Sequence, residues 1–318
     1  MTTSTTSGTA AFNLDLTEIV EEAFERVGSE LRTGYDLRTA RRSLNLLFAD
    51  WANRGVNMWT FEQNTITLVT GQPTYALPDD TVDLLDHVIR TSANVPTNQA
   101  DLTITRISVS TYATIPNKLI QGRPIQVWIN RQTVFAPAVS TTTLAGSISS
   151  SDTTITVVDA SGLPPVGFVN IGSETILYQN VGTSLTSNAN QLLNCYRGMN
   201  GTTAASHSAG DALYRNYLPS LNIWPTGNPG TQYNLIYYRM RRMQDAGSGT
   251  YDQDIPFRFL ECMVAGLAYK MSLKLPDMDP NRIAMLKADY EQQFDLAAQE
   301  DREKATVRFV PRNLFYYR

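Results

Sequence analysis

At 318 residues and 35.3 kDa, with 42% hydrophobic side chains, the chain can bury a sizeable core and has room for more than one domain, which excludes disorder throughout. Its formal charge of −4, from 26 basic and 30 acidic side chains, cannot supply a chain-wide attraction to nucleic acid, so any dealing with DNA is expected to be weak or local. The apolar runs are too short for a membrane span, and MTTSTTSGTA at the start offers Ser and Thr where a signal peptide would need an apolar stretch. The expectation is a chain that neither spans a membrane nor is secreted by that route. Cys195 with Cys262, and His87 with His207, are expected to build neither a disulfide framework nor a metal site, and no cofactor is expected.

In chain order, residues 1–12 read as a flexible N-terminus and residues 13–60 as two helices. The first is expected over Leu16–Leu31, with Ile19, Val20, Ala23, Phe24, Val27 and Leu31 on one face and glutamates on the other. The second is expected from a cap at Asp36 to Asn53, burying Leu37, Ala40, Leu44, Leu47, Phe48 and Trp51 and stopped by Gly55, the two forming an antiparallel pair. Residues 61–138 and 214–247 then read as a β domain, with a turn at Gly71-Gln72-Pro73 and strands near Leu84–Arg90, Leu102–Ile107, Ile125–Ile129, Leu221–Trp224 and Tyr233–Arg239.

Only five charged residues fall between Pro124 and Gly210, against 21 from Thr250 to the end. That contrast, with the Ser/Thr-rich opening VSTTTLAGSISSSDTT, marks residues 139–213 as an inserted small β module. Its strands are expected near Ile155–Val158, Val166–Ile171, Thr175–Gln179 and Gln191–Tyr196, with Asn200-Gly201 as a tight turn. Residues 248–304 return to helix, starting at Asp254-Ile255-Pro256 with the stripe Phe257, Leu260, Val264, Leu267 and Met271. A last helix starts at Asp279-Pro280, carries Ile283, Leu286, Tyr290, Phe294 and Ala297, and runs to about Lys304. Isolated helices of this length are marginal in water, so the N- and C-terminal pairs are expected to pack together. The fold class is therefore α+β, a helical bundle from both ends of the chain with a central β domain and its insertion.

Catalytic motifs are absent: there is no G-x-S-x-G elbow, no phosphate-binding glycine loop and no H-E-x-x-H. His207 reads as a turn residue and His87 as a strand residue, and Asp79-Asp80, Asp252 and Asp254 as turn and cap residues. Trp51 reads as core, while Trp59 and Phe61 stand where a helix hands over to a strand. The tail, residues 305–318, carries Arg308, Phe309, Arg312, Phe315, Tyr316, Tyr317 and Arg318 with no acid after Val307, the residue types that anchor interfaces. It is expected to dock on a partner or a neighbouring subunit.

The stretch ARRSLNLLFADWANRGVNMWTFEQNTITLVTGQPTYALPDDTVDLL (Ala40–Leu85) resembles the N-terminal part of the head-to-tail adaptors of short-tailed bacteriophages, also called tail tubular protein A. LNIWPTGNPGTQYNLIYYRMRRMQDAG (Leu221–Gly247), DIPFRFLECMVAGLAYKMS (Asp254–Ser272) and the final helix ending in FVP (Phe309–Pro311) continue the resemblance in the same order. Residues 139–213 depart from it and are similar to small β modules inserted in phage tail and particle proteins. The resemblance implies a virion protein of the neck, present in the host cytoplasm during assembly, that forms a ring of twelve copies between portal and tail nozzle. Genomic DNA would pass through the lumen without sequence-specific binding, and the C-terminal extension would reach the portal. The alternative is a tail-associated receptor- or glycan-binding protein acting through the module, with tail fibres as a further partner.

Overall fold

The computed structural model describes residues 12, 14–30, 34–56, 58–92, 95–131, 140–182, 188–276 and 278–302. Its elements begin with α1 (Leu16–Val27), α2 (Gly34–Asn53), β1 (Phe61–Thr67), β2 (Thr74–Ala76), β3 (Thr81–Thr91), β4 (Ala100–Thr103), β5 (Thr105–Arg106), α3 (Val109–Ala113) and β6 (Gln126–Asn130). Short strands follow: β7 (Thr142–Thr143), β8 (Ile155–Thr156), β9 (Gly167–Ile171), β10 (Glu174–Tyr178), β11 (Asn180–Val181), β12 (Gln191–Leu193), β13 (Tyr196–Met199) and β14 (Ala212–Asn216). The last are β15 (Ser220–Trp224), β16 (Tyr233–Arg241), α4 (Leu260–Ser272) and α5 (Pro280–Glu300). The fold is α+β, as the order of hydrophobic periods indicates. Two units emerge: the described residues up to Phe61 together with those from Arg242 on, and Glu62–Arg241.

In the helical unit, α1 opens with a reciprocal cap. Asp15 Oδ1 accepts from the Glu18 amide at 2.9 Å while Glu18 Oε2 accepts from the Asp15 amide at 3.1 Å. It stops at Gly28, whose φ of 84° only glycine adopts without strain, and Ser29 N–H donates back to Phe24 O. The helix therefore ends before Leu31, which lies outside the described residues. Replacing Asp15 with Ala removes one half of this cap and is expected to cost about 1 kcal/mol, read as a lowered urea midpoint, while Asp15→Asn retains most of the stability.

α2 starts at Gly34, so Asp36 sits in its first turn instead of capping it. The expected pairing of α1 with α2 is minor, because both pack chiefly on α4, as does α5. The reason is the composition of α4: nine of its 13 residues are buried, and a helix apolar on every side needs neighbours on every side. Gly266 permits the close approach, since a Cβ there would lie 2.9 Å from both Leu47 Cδ2 and Tyr290 Cε2. A short 3₁₀ turn, Phe257–Phe259, precedes α4, so the helix begins later than Pro256 suggests. Phe257 is consequently exposed and stacks on Phe12 with centroids 5.6 Å apart, while Phe259 takes the core position. α5 starts where expected, with Asp279 Oδ1 accepting from the Asn281 amide at 3.0 Å and Pro280 in the first turn. It ends at Glu300, and Lys304 lies outside the described residues. The fully buried Asp301 carboxylate then ties Arg258 Nη2 (2.9 Å) and the Met58 amide (3.2 Å) to this end of the helix.

In the β unit, one sheet runs β1-β16-β3-β4 and a second β2-β15-β6-β5, with residues of both (Ile89, Leu235, Val127, Leu221) in one core. β3 runs antiparallel to β16 and β4, and β15 to β2 and β6, while β5 runs parallel to β6. Gly71, at φ 77°, does turn the chain, but β1 and β2 are not a hairpin: the turn passes the chain from one sheet to the other. The strand expected over Leu102–Ile107 is likewise divided, because Ile104 is buried in the shared core where the chain crosses from β3's partner β4 to β6's partner β5.

β6 and β15 are direct neighbours, with Asn130 opposite Ser220 and Gln126 opposite Trp224. Between them, the described residues 140–182 and 188–219 form an excursion from that sheet. The excursion carries its own sheets, β13-β10-β9-β14-β7 and β11-β12-β8, around a separate core that includes Leu144, Ile155, Val169, Ile176 and Leu192. Asn200 (φ 55°) and Gly201 (φ 73°) form the anticipated tight turn, closed by Thr202 N–H donating to Met199 O. The strand expected over Gln191–Tyr196 breaks at Asn194, where φ is 51°, into β12 and β13.

Candidate functional site

A dense polar constellation centres on Glu174, 1% exposed at the start of β10. Its Oε1 accepts from Arg197 Nε at 2.8 Å and from the Gly198 amide at 3.0 Å. Its Oε2 accepts from Arg197 Nη2 at 2.8 Å, His207 Nε2 at 2.8 Å and the Ala205 amide at 3.2 Å. Burial alone pushes this carboxyl up; the Arg197 guanidinium, the His207 ring and the two amides outweigh it and hold it down at about 2. Arg197 also donates to the carbonyls of Ser149 and Ala205, so one carboxylate pins three separate loops.

His207 thus stands in a β-bridge with Ile148 and donates to a saturated carboxylate, where the sequence suggested a turn residue. Among the described residues no hydroxyl bonds its ring, so the cluster has the donors and acceptor of a structural clamp and no nucleophile for a base to activate. His87 lies in β3 as expected, 8% exposed, and burial pushes its pKa down. Both cysteines are free, and burial pushes each thiol up to about 12, far from the thiolate a nucleophile needs. Among the described residues no three His, Cys, Asp or Glu side chains come together as a metal site, and no helix is long and apolar enough to cross a membrane.

Trp51 is wholly buried in the helical unit, and Trp59 is half-buried with its ring 5.0 Å from Phe259 and its Nε1 donating to Asp254 O at 2.9 Å. The seven tail residues singled out above, Arg308, Phe309, Arg312, Phe315, Tyr316, Tyr317 and Arg318, lie outside the described residues.

A cavity of about 520 Å³ opens inside the β unit. The strand alternation that turns Val127, Ile129, Leu221 and Ile223 into the core turns Thr74, Trp128, Asn130, Ser220 and Asn222 to the opposite face of the sheet, and these five line the cavity. α3 and the loop after it add Tyr112, stacked on Trp128 with centroids 5.1 Å apart, and Lys118, whose Nζ sits 5.4 Å from the Tyr112 ring. The excursion supplies Phe168, Gln179, Asn180, Asn194 and Arg215. Arg215 lies 4.2 Å from the Tyr217 ring centroid and has no carboxylate partner among the described residues. Sequence reasoning singled out none of these residues. The one available signal was Trp128, a large aromatic on the side of a strand opposite its apolar residues.

No protein-family model matches the chain, and no curated protein is similar to it in sequence.

Proposed function

We propose that the chain is a structural virion protein, a head-to-tail adaptor that closes a ring between portal and tail nozzle and forms part of the DNA channel. Its work lies in subunit contacts, and the reading assigns it no catalysis and no cofactor. One observation carries this most: the outward faces of two bundle helices hold large apolar side chains that an isolated copy leaves in water. On α2 these are Tyr35 (65% exposed) and Leu46 (59%), about three turns apart on one face; on α5 they are Met285 (72%) and Leu296 (53%) at the same spacing. A contact between unlike surfaces repeated by rotation would cover these four side chains and close a ring. The resemblance of Ala40–Leu85, Leu221–Gly247 and Asp254–Ser272 to the adaptors, in the same order, supports the same reading. The mild acidity suits a lumen through which DNA slides without being held.

Pull-down with purified portal protein tests it. The full chain is expected to be retained, and a chain lacking Val307–Arg318 is expected to lose retention with its circular dichroism unchanged. Failure of the full chain to bind portal overturns the reading, and equal binding by the shortened chain overturns the role given to the tail.

A further inference from the structure

We infer that the cavity beneath Trp128 is a binding site for an acidic saccharide. The volume, about 520 Å³, falls in the range of small-ligand sites. Three features of the wall define the ligand. Trp128, held by Tyr112 stacked on one face of its indole, supplies with the other face the flat apolar surface on which the C–H face of a pyranose would pack, while Tyr112 and Tyr217 position the cations Lys118 and Arg215. Side-chain amides (Asn130, Gln179, Asn180, Asn194, Asn216) supply neutral groups that both donate and accept, which matches sugar hydroxyls that do the same. Among the described residues of the lining, the charged side chains, Lys118 and Arg215, are both cationic.

Two of these groups also lack what burial ordinarily demands. Gln179 Nε2 is buried without a hydrogen-bond partner among the described residues, and a buried donor left unmade costs free energy that a ligand acceptor would recover. The Arg215 guanidinium, half-buried and without a carboxylate among the described residues, presents a planar fork suited to a ligand carboxylate. On the sheet face, Thr74 and Asn222, each less than a tenth exposed, satisfy each other, with Thr74 Oγ1 donating to Asn222 Oδ1 at 2.7 Å, so the unmet demand falls on Gln179 and Arg215. The site is complete within one copy, so the inference does not depend on the assembly reading.

Ligand-observed NMR on the full chain, with glucuronic acid and N-acetylneuraminic acid against glucose and N-acetylglucosamine, tests this. Saturable binding of an acidic sugar is expected, weaker by about tenfold or more for the neutral ones. Arg215→Gln should erase that preference, and Trp128→Ala should abolish binding; because Trp128→Ala removes packing as well, Asn130→Ala serves as a milder variant expected to weaken binding. Displacement by a purified acidic polysaccharide assigns the site to surface glycans, and no displacement assigns it to the free sugar. Absence of saturable binding by every sugar, or acidic-sugar binding unchanged in the Arg215→Gln and Asn130→Ala variants, overturns the inference.

Discussion

Urea unfolding of the Trp51→Ala protein is expected to show a loss of about 3–5 kcal/mol in the helical unit, the cost of emptying a large aromatic site that cannot collapse. Trp51 is 0% exposed and meets Phe48, Phe259 and Phe294 with centroids 5.9, 5.5 and 6.4 Å away, so α2, α5 and the turn entering α4 all rest on one indole. Its Nε1 donates to the Tyr290 hydroxyl at 3.1 Å, and the truncation leaves that buried hydroxyl without its partner as well. Trp51→Phe keeps most of the volume and is expected to lose less than half as much. A loss below about 1 kcal/mol for Trp51→Ala would mean that the two ends of the chain do not share one core.

The second large effect belongs to Glu174. Its removal strands Arg197, whose side chain is 7% exposed, and an uncompensated buried charge costs about 3–5 kcal/mol. Glu174→Ala should therefore speed hydrogen exchange through β9, β10 and β13 while the helical unit keeps its protection. The pH dependence has a defined sign. A carboxyl at about 2 in the folded state against 4.5 in the unfolded chain gives stability that is fully present above 4.5 and is lost as pH falls toward 2, in total about 3 kcal/mol. Acid exchange of the wild-type excursion should accelerate over that window, and the Glu174→Ala protein should lack this step. Equal exchange in the two proteins at neutral pH would show that the clamp contributes nothing.

The fold was legible where periodicity was strong. The stripes Ile19 to Val27, Leu44 to Trp51 and Leu286 to Ala297 are buried as their spacing predicts, because a single side of each helix faces the core. α4 was read as one more amphipathic helix, but its small residues Ala265, Gly266 and Ala268 make it the centre of the bundle, a property of neighbours and not of period. Breaks at Ile104 and Asn194 escaped because a single residue leaving a strand hardly disturbs alternation. β14 and α3 were missed altogether, the first in a polar run, the second too short to show a period. The Glu174 clamp joins residues 23 and 33 positions apart, and the cavity gathers side chains from three stretches, so neither leaves a local trace.

Ring closure as proposed requires that Tyr35 and Leu46 of α2 and Met285 and Leu296 of α5 be covered by sister copies. Electron microscopy of the purified chain, alone and mixed with portal protein, measures this directly. Closed rings, formed alone or once portal is added, and lost when Leu46 and Met285 are both replaced by Glu, are the predicted result. Solitary copies under every condition, or rings indifferent to those two substitutions, would contradict it.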